Sequence, residues 1–156
     1  AKNTLFFITA DHSSLNESYM YQAGTGKFEV PFMVYADKAF GLVGSSEKAV
    51  QHIDFLPTVL DLLHCEDTVS VFGESFFAEK SSALVFKDGS SYYIREGDWE
   101  LKVVNNQPIN LHNLAKDPER LDDVIGGNQN RAEQMLLELR IQQSNFAKKL
   151  IFNHFF

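Results

Sequence analysis

Apolar residues fall along this chain in two different rhythms, and the change comes just after Phe72-Gly73. Upstream they form unbroken blocks. Thr4 to Ala10 (TLFFITA) is a continuous run rich in β-branched and aromatic side chains, the pattern of a strand buried on both faces in a parallel sheet under helices. The run stops at Asp11-His12-Ser13-Ser14, so this polar cluster sits at the C-terminal end of the strand. In open α/β sheets that edge is where ligands bind. Asn16 to Lys27 contains Gly24 and Gly26 and reads as a loop. Val30 to Tyr35 (VPFMVY) predicts a second buried strand, with Pro31 near its start, where a missing N–H is tolerated. Asp37 to Ser46 is another loop, and a short helix follows. Pro57 fits only the first turn of that helix, which makes Asp54 the N-cap. Leu56, Val59, Leu60 and Leu63 then form one apolar stripe.

Downstream the apolar segments are short and regularly spaced. Ala83 to Phe86, Tyr92 to Arg95, Leu101 to Val104 and Ile109 to Leu111 are strand candidates, separated by the turn signals Asp88-Gly89, Gly97-Asp98 and Asn105-Asn106. They predict a small antiparallel meander, with Trp99 as an aromatic anchor of its core. A long helix over about Arg131 to Phe152 closes the chain, with Ala132, Met135, Leu136, Leu139, Phe146 and Leu150 on its apolar face. No internal repeat is visible.

Two parallel-type strands and one short helix cannot close a doubly wound layer, which needs further strands and helices on both faces. The chain has no initiator Met and enters a strand almost at once, so it reads as the second half of a longer fold. Residues 1–80 are expected to be the C-terminal portion of an α/β domain, and 81–156 an antiparallel subdomain with a long terminal helix. An unfinished sheet leaves bare edges and open apolar faces, so association through them is expected.

Composition narrows the function more than the fold. The 156 residues are 44% hydrophobic and 22% charged, an ordinary globular balance. A net charge of −7 and a pI near 5.1 argue against a nucleic-acid partner. Lys148 and Lys149 read as a solvated helix face. No apolar run is long enough to span a bilayer, and no signal peptide pattern is present. The single cysteine, Cys65, allows no internal disulfide and reads as a packing residue at a helix end.

Asp11 and His12 carry the strongest chemical signal. A carboxylate and an imidazole, side by side where a strand breaks, can turn toward one divalent cation. Two donors fall short of the three or four a metal site needs, and an Asp in this place also serves as a turn-former. Ser13 and Ser14 are candidates for substrate contact or for the turn itself. Tyr19 and Tyr21, in the following loop, are candidates to line a substrate groove or to pack. His52, beside a helix start, reads as structural, as do His64, His112 and His154.

The ordered motifs resemble a known family. Asn3-Thr-Leu-Phe-Phe-Ile-Thr-Ala-Asp-His-Ser-Ser14 is similar to the metal-binding strand of the alkaline phosphatase superfamily, in particular its sulfatase-like branch, which includes lipoteichoic acid synthases. Gly26-Lys-Phe-Glu-Val-Pro-Phe-Met-Val-Tyr35 resembles that branch's PFIIY-type strand, and Gln51-His-Ile-Asp-Phe-Leu-Pro-Thr-Val-Leu-Asp-Leu-Leu63 its Q-x-D-x-x-P-T-x-L helix. Phe72-Gly-Glu-Ser-Phe-Phe77 resembles the following turn, and Leu111-His-Asn-Leu-Ala-Lys-Asp-Pro118 the LYNL-x-x-DP segment, with His112 where Tyr is usual.

The resemblance implies the C-terminal part of an alkaline-phosphatase-like, mostly parallel α/β sheet plus a small antiparallel sheet with a C-terminal helix. It implies Asp11 and His12 as ligands of one divalent metal, with manganese first and magnesium, zinc or calcium as alternatives. The remaining ligands and the Thr or Ser nucleophile (a formylglycine in sulfatases) are expected upstream, in the missing N-terminal half of the polypeptide. No catalytic nucleophile is expected in this chain, and Cys65 lacks the Cys-x-Pro-x-Arg context.

The function implied is that of a phosphoglycerol transferase of the lipoteichoic-acid-synthase type, acting on a lipid-linked phosphoester at the extracytoplasmic face of a membrane or in a periplasm. The alternatives are a sulfuric ester hydrolase and a non-catalytic binding module on the same scaffold. The isolated chain is expected to be inactive.

Overall fold

The computed structural model describes residues 4–13, 18–65, 70–79 and 82–152. The N-terminal part holds a two-stranded sheet, β1 (Phe6–Thr9) and β2 (Phe32–Tyr35), and a helix, α1 (Phe55–Leu62). The C-terminal part is a four-stranded meander, β3 (Leu84–Asp88), β4 (Ser91–Glu96), β5 (Trp99–Val104) and β6 (Gln107–Asn113), followed by α2 (Gln129–Phe152). The α/β class, the small antiparallel sheet and the terminal helix are as the sequence predicts.

β1 and β2 are neighbours, as expected, but they run antiparallel, with Phe6 opposite Tyr35 and Thr9 opposite Phe32. This corrects the parallel relation read from their continuous apolar runs. The described residues between them form only short 3₁₀ turns, Tyr19–Tyr21 and Gly24–Phe28. A parallel return needs a crossover of a dozen or more residues, usually a helix, whereas an antiparallel return needs none. One face of the pair is covered by aromatic rings: Phe32 lies 4.9 Å from Phe55 of α1 and 4.5 Å from Phe76. The other face, formed by Phe6, Ile8, Met33 and Tyr35, is open, each side chain 43–65% exposed.

α1 begins where expected, at Phe55 with Asp54 in the N-cap position. A 3₁₀ turn, His52–Asp54, leads into it and has Gln51 as its own N-cap. Asp54 reaches back to accept from the Gln51 N–H at 2.8 Å and also accepts from the Glu74 N–H at 2.9 Å. Pro57 lies in the first turn, as predicted. The Leu56, Val59, Leu60 and Leu63 stripe is covered only in its middle: Val59 and Leu60 are partly buried, whereas Leu56 and Leu63 are each 55% exposed. The helix contacts this chain through Phe55 and the fully buried Thr58, whose hydroxyl donates to the Asp54 carbonyl and accepts from the Phe76 N–H. Cys65 is exposed, which corrects its reading as a packing residue.

The meander alternates sides with the pleat. Ile94, Leu101 and Leu111 stand opposite one another across β4, β5 and β6 and are fully buried. They meet Ala132, Met135, Leu136 and Leu139 of α2, forming the core of the molecule, with Trp99 partly buried against it. Phe146 and Leu150, expected on the same helix face, lie beyond this contact and are about half exposed; Phe146 stacks on Phe72 at 4.6 Å instead. The opposite face of the meander carries Phe86, Arg95 and Glu100, and the segment 24–29 packs on it. Phe28 stacks on Phe86 at 5.7 Å and Arg95 pairs with Glu29 at 2.5 Å. No helix among the described residues is long and apolar enough to cross a membrane.

Candidate metal centre

Asp11 and His12 follow β1 directly, at its C-terminal end. The turn there is set by hydrogen bonds rather than packing. The Asp11 Oδ1 accepts from the His12 N–H at 2.9 Å, and the His12 Nδ1 meets the Ser13 carbonyl at 2.8 Å. A carbonyl can only accept, so the ring proton belongs on Nδ1 and Nε2 presents its lone pair. This is the arrangement by which a metal-ligating histidine is commonly oriented, its other N–H held by a backbone carbonyl. Nε2 then lies 3.5 Å from Asp11 Oδ2, and the two side chains are 65% and 87% exposed. Two lone-pair donors this close, facing open space, suit a shared divalent cation. The donor set therefore fits a metal but is incomplete: among the described residues, no group of three or more His, Cys, Asp or Glu side chains could hold one.

Ser13 is committed to the backbone. Its N–H and its hydroxyl both donate to the Lys27 carbonyl, at 3.3 and 2.6 Å. The hydroxyl proton is used, so Ser13 could meet a ligand only as an acceptor. Ser14 and His154 lie outside the described residues. Tyr19 and Tyr21 share one 3₁₀ turn, Tyr19 about half exposed and Tyr21 partly buried.

Sequence reasoning missed two features around this end of β1. The His52 Nε2 donates to the Ala10 carbonyl at 2.9 Å, tying the start of α1 to the residue before Asp11. The second is a buried pair, Glu100 with Arg120, that grips the loop after β1. His112, read as structural, lies 3.7 Å from Asp117 and bonds the Asp122 carbonyl. Burial works to raise the Asp117 carboxyl, but the N–H groups of Asp122 and Leu121 and the His112 ring outweigh it and hold it below its usual value. Asp123 is likewise lowered against its burial, by the N–H groups of Leu111 and Ile125, by Asn110 and by His112.

Residues 1–65 match the family model described as Sulfatase. The crystal structure titled Ps i-CgsB shares the fold, with a TM-score of 0.63 and 20% identity over 89% of this chain. This chain spans 36% of the length of that one. No curated protein matches the sequence. Residues 1–65, less than half of the chain, are thus similar to the Sulfatase family, and the chain shares the fold of Ps i-CgsB.

Proposed function

We propose that the chain is the C-terminal part of a metal-dependent phosphotransferase of the phosphoglycerol-transferase type, and that Asp11 and His12 are two of its metal ligands. The observation that carries the reading is the nitrogen donor. Calcium sites take oxygen ligands, whereas a mixed imidazole and carboxylate set suits manganese or zinc. By resemblance, those ions serve the phosphotransferase branch and calcium the sulfatases.

When bound, such an ion activates a hydroxyl nucleophile and neutralises charge on the ester oxygens. Asp11 supplies the charge that attracts it. His12, its ring held by the Ser13 carbonyl, supplies a neutral donor in fixed orientation. His52 and Lys27 hold the backbone on either side of the pair. Tyr19 and Tyr21 are proposed to border the substrate. The nucleophile and the other ligands belong to the remainder of the polypeptide, and the open face of Phe6, Ile8, Met33 and Tyr35 is where that remainder packs. The substrate proposed is a lipid-linked phosphoglycerol at the extracytoplasmic face of a membrane. By itself the chain is proposed to be inactive.

The match of residues 1–65 to the Sulfatase family favours a second reading, sulfuric ester hydrolysis. The two separate when the full-length polypeptide is offered a phosphatidylglycerol-like lipid and an aryl sulfate, with manganese or with calcium. Turnover of the lipid with manganese is expected. Turnover of the sulfate ester alone, with calcium, would overturn the first reading in favour of the second.

A further inference from the structure

Glu100 and Arg120 are 2% and 9% exposed and form a forked pair, Arg120 Nε to Glu100 Oε1 at 2.9 Å and Nη2 to Oε2 at 3.1 Å. Burying two charges carries a desolvation cost that packed apolar side chains would not incur, so the pair itself is weak ground for a stability role. Apart from one to the Pro118 carbonyl, its other hydrogen bonds go to one loop. Glu100 Oε2 accepts from both the N–H and the hydroxyl of Thr25, a residue 1% exposed. Arg120 donates to the Thr25 hydroxyl at 3.1 Å, to the Met20 carbonyl at 3.2 Å and to the Pro118 carbonyl at 3.0 Å.

The loop is shaped to come this close. Gly24 has φ +53°, and a Cβ there would lie 2.1 Å from Glu100 Oε1; one on Gly26 would lie 1.8 Å from the Met20 carbonyl oxygen. Next in the chain is Lys27, whose side chain pairs with Asp88 at 2.8 Å and whose carbonyl takes both bonds from Ser13. Ser13 in turn holds the His12 ring. A continuous series of hydrogen bonds and short peptide links thus runs from the far face of the meander to the imidazole.

We propose that the Glu100–Arg120 pair is a positioning element for the Asp11–His12 end of β1, acting through Thr25, Lys27 and Ser13; this rests on Asp11 and His12 being metal ligands. The C-terminal meander is then part of the metal centre's support as well as a stabilising appendage. Glu100 and Arg120 touch no metal or substrate in this scheme. They set the backbone at Thr25, and hence where the Lys27 carbonyl meets Ser13.

Manganese titration of the full-length polypeptide, read by the EPR signal of the free ion, tests this without relying on turnover. Glu100→Gln keeps the shape and removes the charge, and is expected to weaken manganese binding about tenfold, as outer partners of metal ligands do. Ser13→Ala is expected to weaken it similarly, and the double variant no more than the worse single one, because residues in one network do not add. Thr25→Ser, which retains the hydroxyl, is expected to bind as the unsubstituted protein does. If Glu100→Gln fails to fold, Thr25→Val takes its place with the same expectation. Glu100→Gln (or Thr25→Val in its place) with a native near-UV spectrum and unchanged manganese affinity would overturn the proposal, as would losses that add in full. Asp11→Asn in the same series separates the failures. If it too binds manganese normally, the ligand assignment is wrong and the positioning role falls with it. If it abolishes binding while Glu100→Gln has no effect, only the positioning role is wrong.

Discussion

The two parts of this chain are both rich in apolar residues but use them differently. Residues 83–139 enclose a core in which Ile94, Leu101, Leu111 and Met135 are sealed between the meander and α2. Among the described residues of 4–79 only Thr25, Gly26 and Thr58 are buried, while Phe6, Ile8, Met33, Tyr35, Leu56 and Leu63 remain largely in solvent. One region satisfies its own hydrophobic pattern; the other has a pattern written for neighbours it does not contain. The candidate chemistry lies in the second region, and the structures that steady it come partly from the first. The Asp11–His12 pair at an open sheet end is held by backbone bonds to a loop, and that loop is seated on the meander.

If this contrast holds, equal truncations should have unequal effects. Leu101→Ala removes a sealed side chain and should destabilise the 156-residue chain by about 2–5 kcal/mol in urea unfolding. Ile8→Ala, on the open face, should change stability by less than about 0.5 kcal/mol in the same experiment. A large loss at Ile8 would mean that its face is already covered. The open face should also drive association, so Ile8→Asp with Met33→Asp should shift sedimentation toward the monomer. No shift on dilution or on substitution would remove that face from the contacts.

Asp54 sharpens the comparison from within the weaker region. It accepts from both Gln51 and Glu74, so Asp54→Ala should cost about 1–2 kcal/mol, the range for losing a helix cap.

Acid should act through the stronger region. Asp117 and Asp123 have folded pKa values below their unfolded ones. Their contribution to stability is therefore complete above the unfolded value, about 3.9, and is lost as pH falls below it through the folded values. Asp117→Asn combined with Asp123→Asn should flatten the decline of the urea midpoint across that window; an unchanged slope would exclude these carboxylates as its source.

The meander was legible because each of its turns carries its own chemistry. Gly89, Gly97, Asn105 and Asn106 all have positive φ, the conformation that tight hairpin turns require. Strand alternation then decided which residues face α2. The β1–β2 direction was not legible, since a continuous apolar run has no period by which to tell parallel from antiparallel. The exposed ends of the α1 stripe, Leu56 and Leu63, were not foreseen for a related reason: periodicity identifies an apolar face but not which neighbour covers it. Asp11 and His12 stood out by type and place. The Glu100–Arg120–Thr25 cluster did not, because its members are 20 and 75 residues apart and each alone looks like an ordinary surface residue. Arg120 in a left-handed conformation, φ 61°, gave no sequence sign at all.

A small effect is also expected at His64, which follows α1 with φ 52°. His64→Gly should leave stability within about 1 kcal/mol of its starting value and turnover of the full-length enzyme unchanged, since glycine is the usual residue at such a helix end. A loss of activity there would move the site away from β1.

Anomalous diffraction at the manganese edge from crystals of the full-length polypeptide tests the metal assignment most directly. The expected result is one strong peak about 2.0–2.2 Å from both an Asp11 carboxylate oxygen and the His12 Nε2. It should disappear in Asp11→Asn, and in His12→Ala it should return at raised manganese, because only a neutral donor is lost. A peak elsewhere, with Asp11 and His12 free of metal, would contradict the assignment.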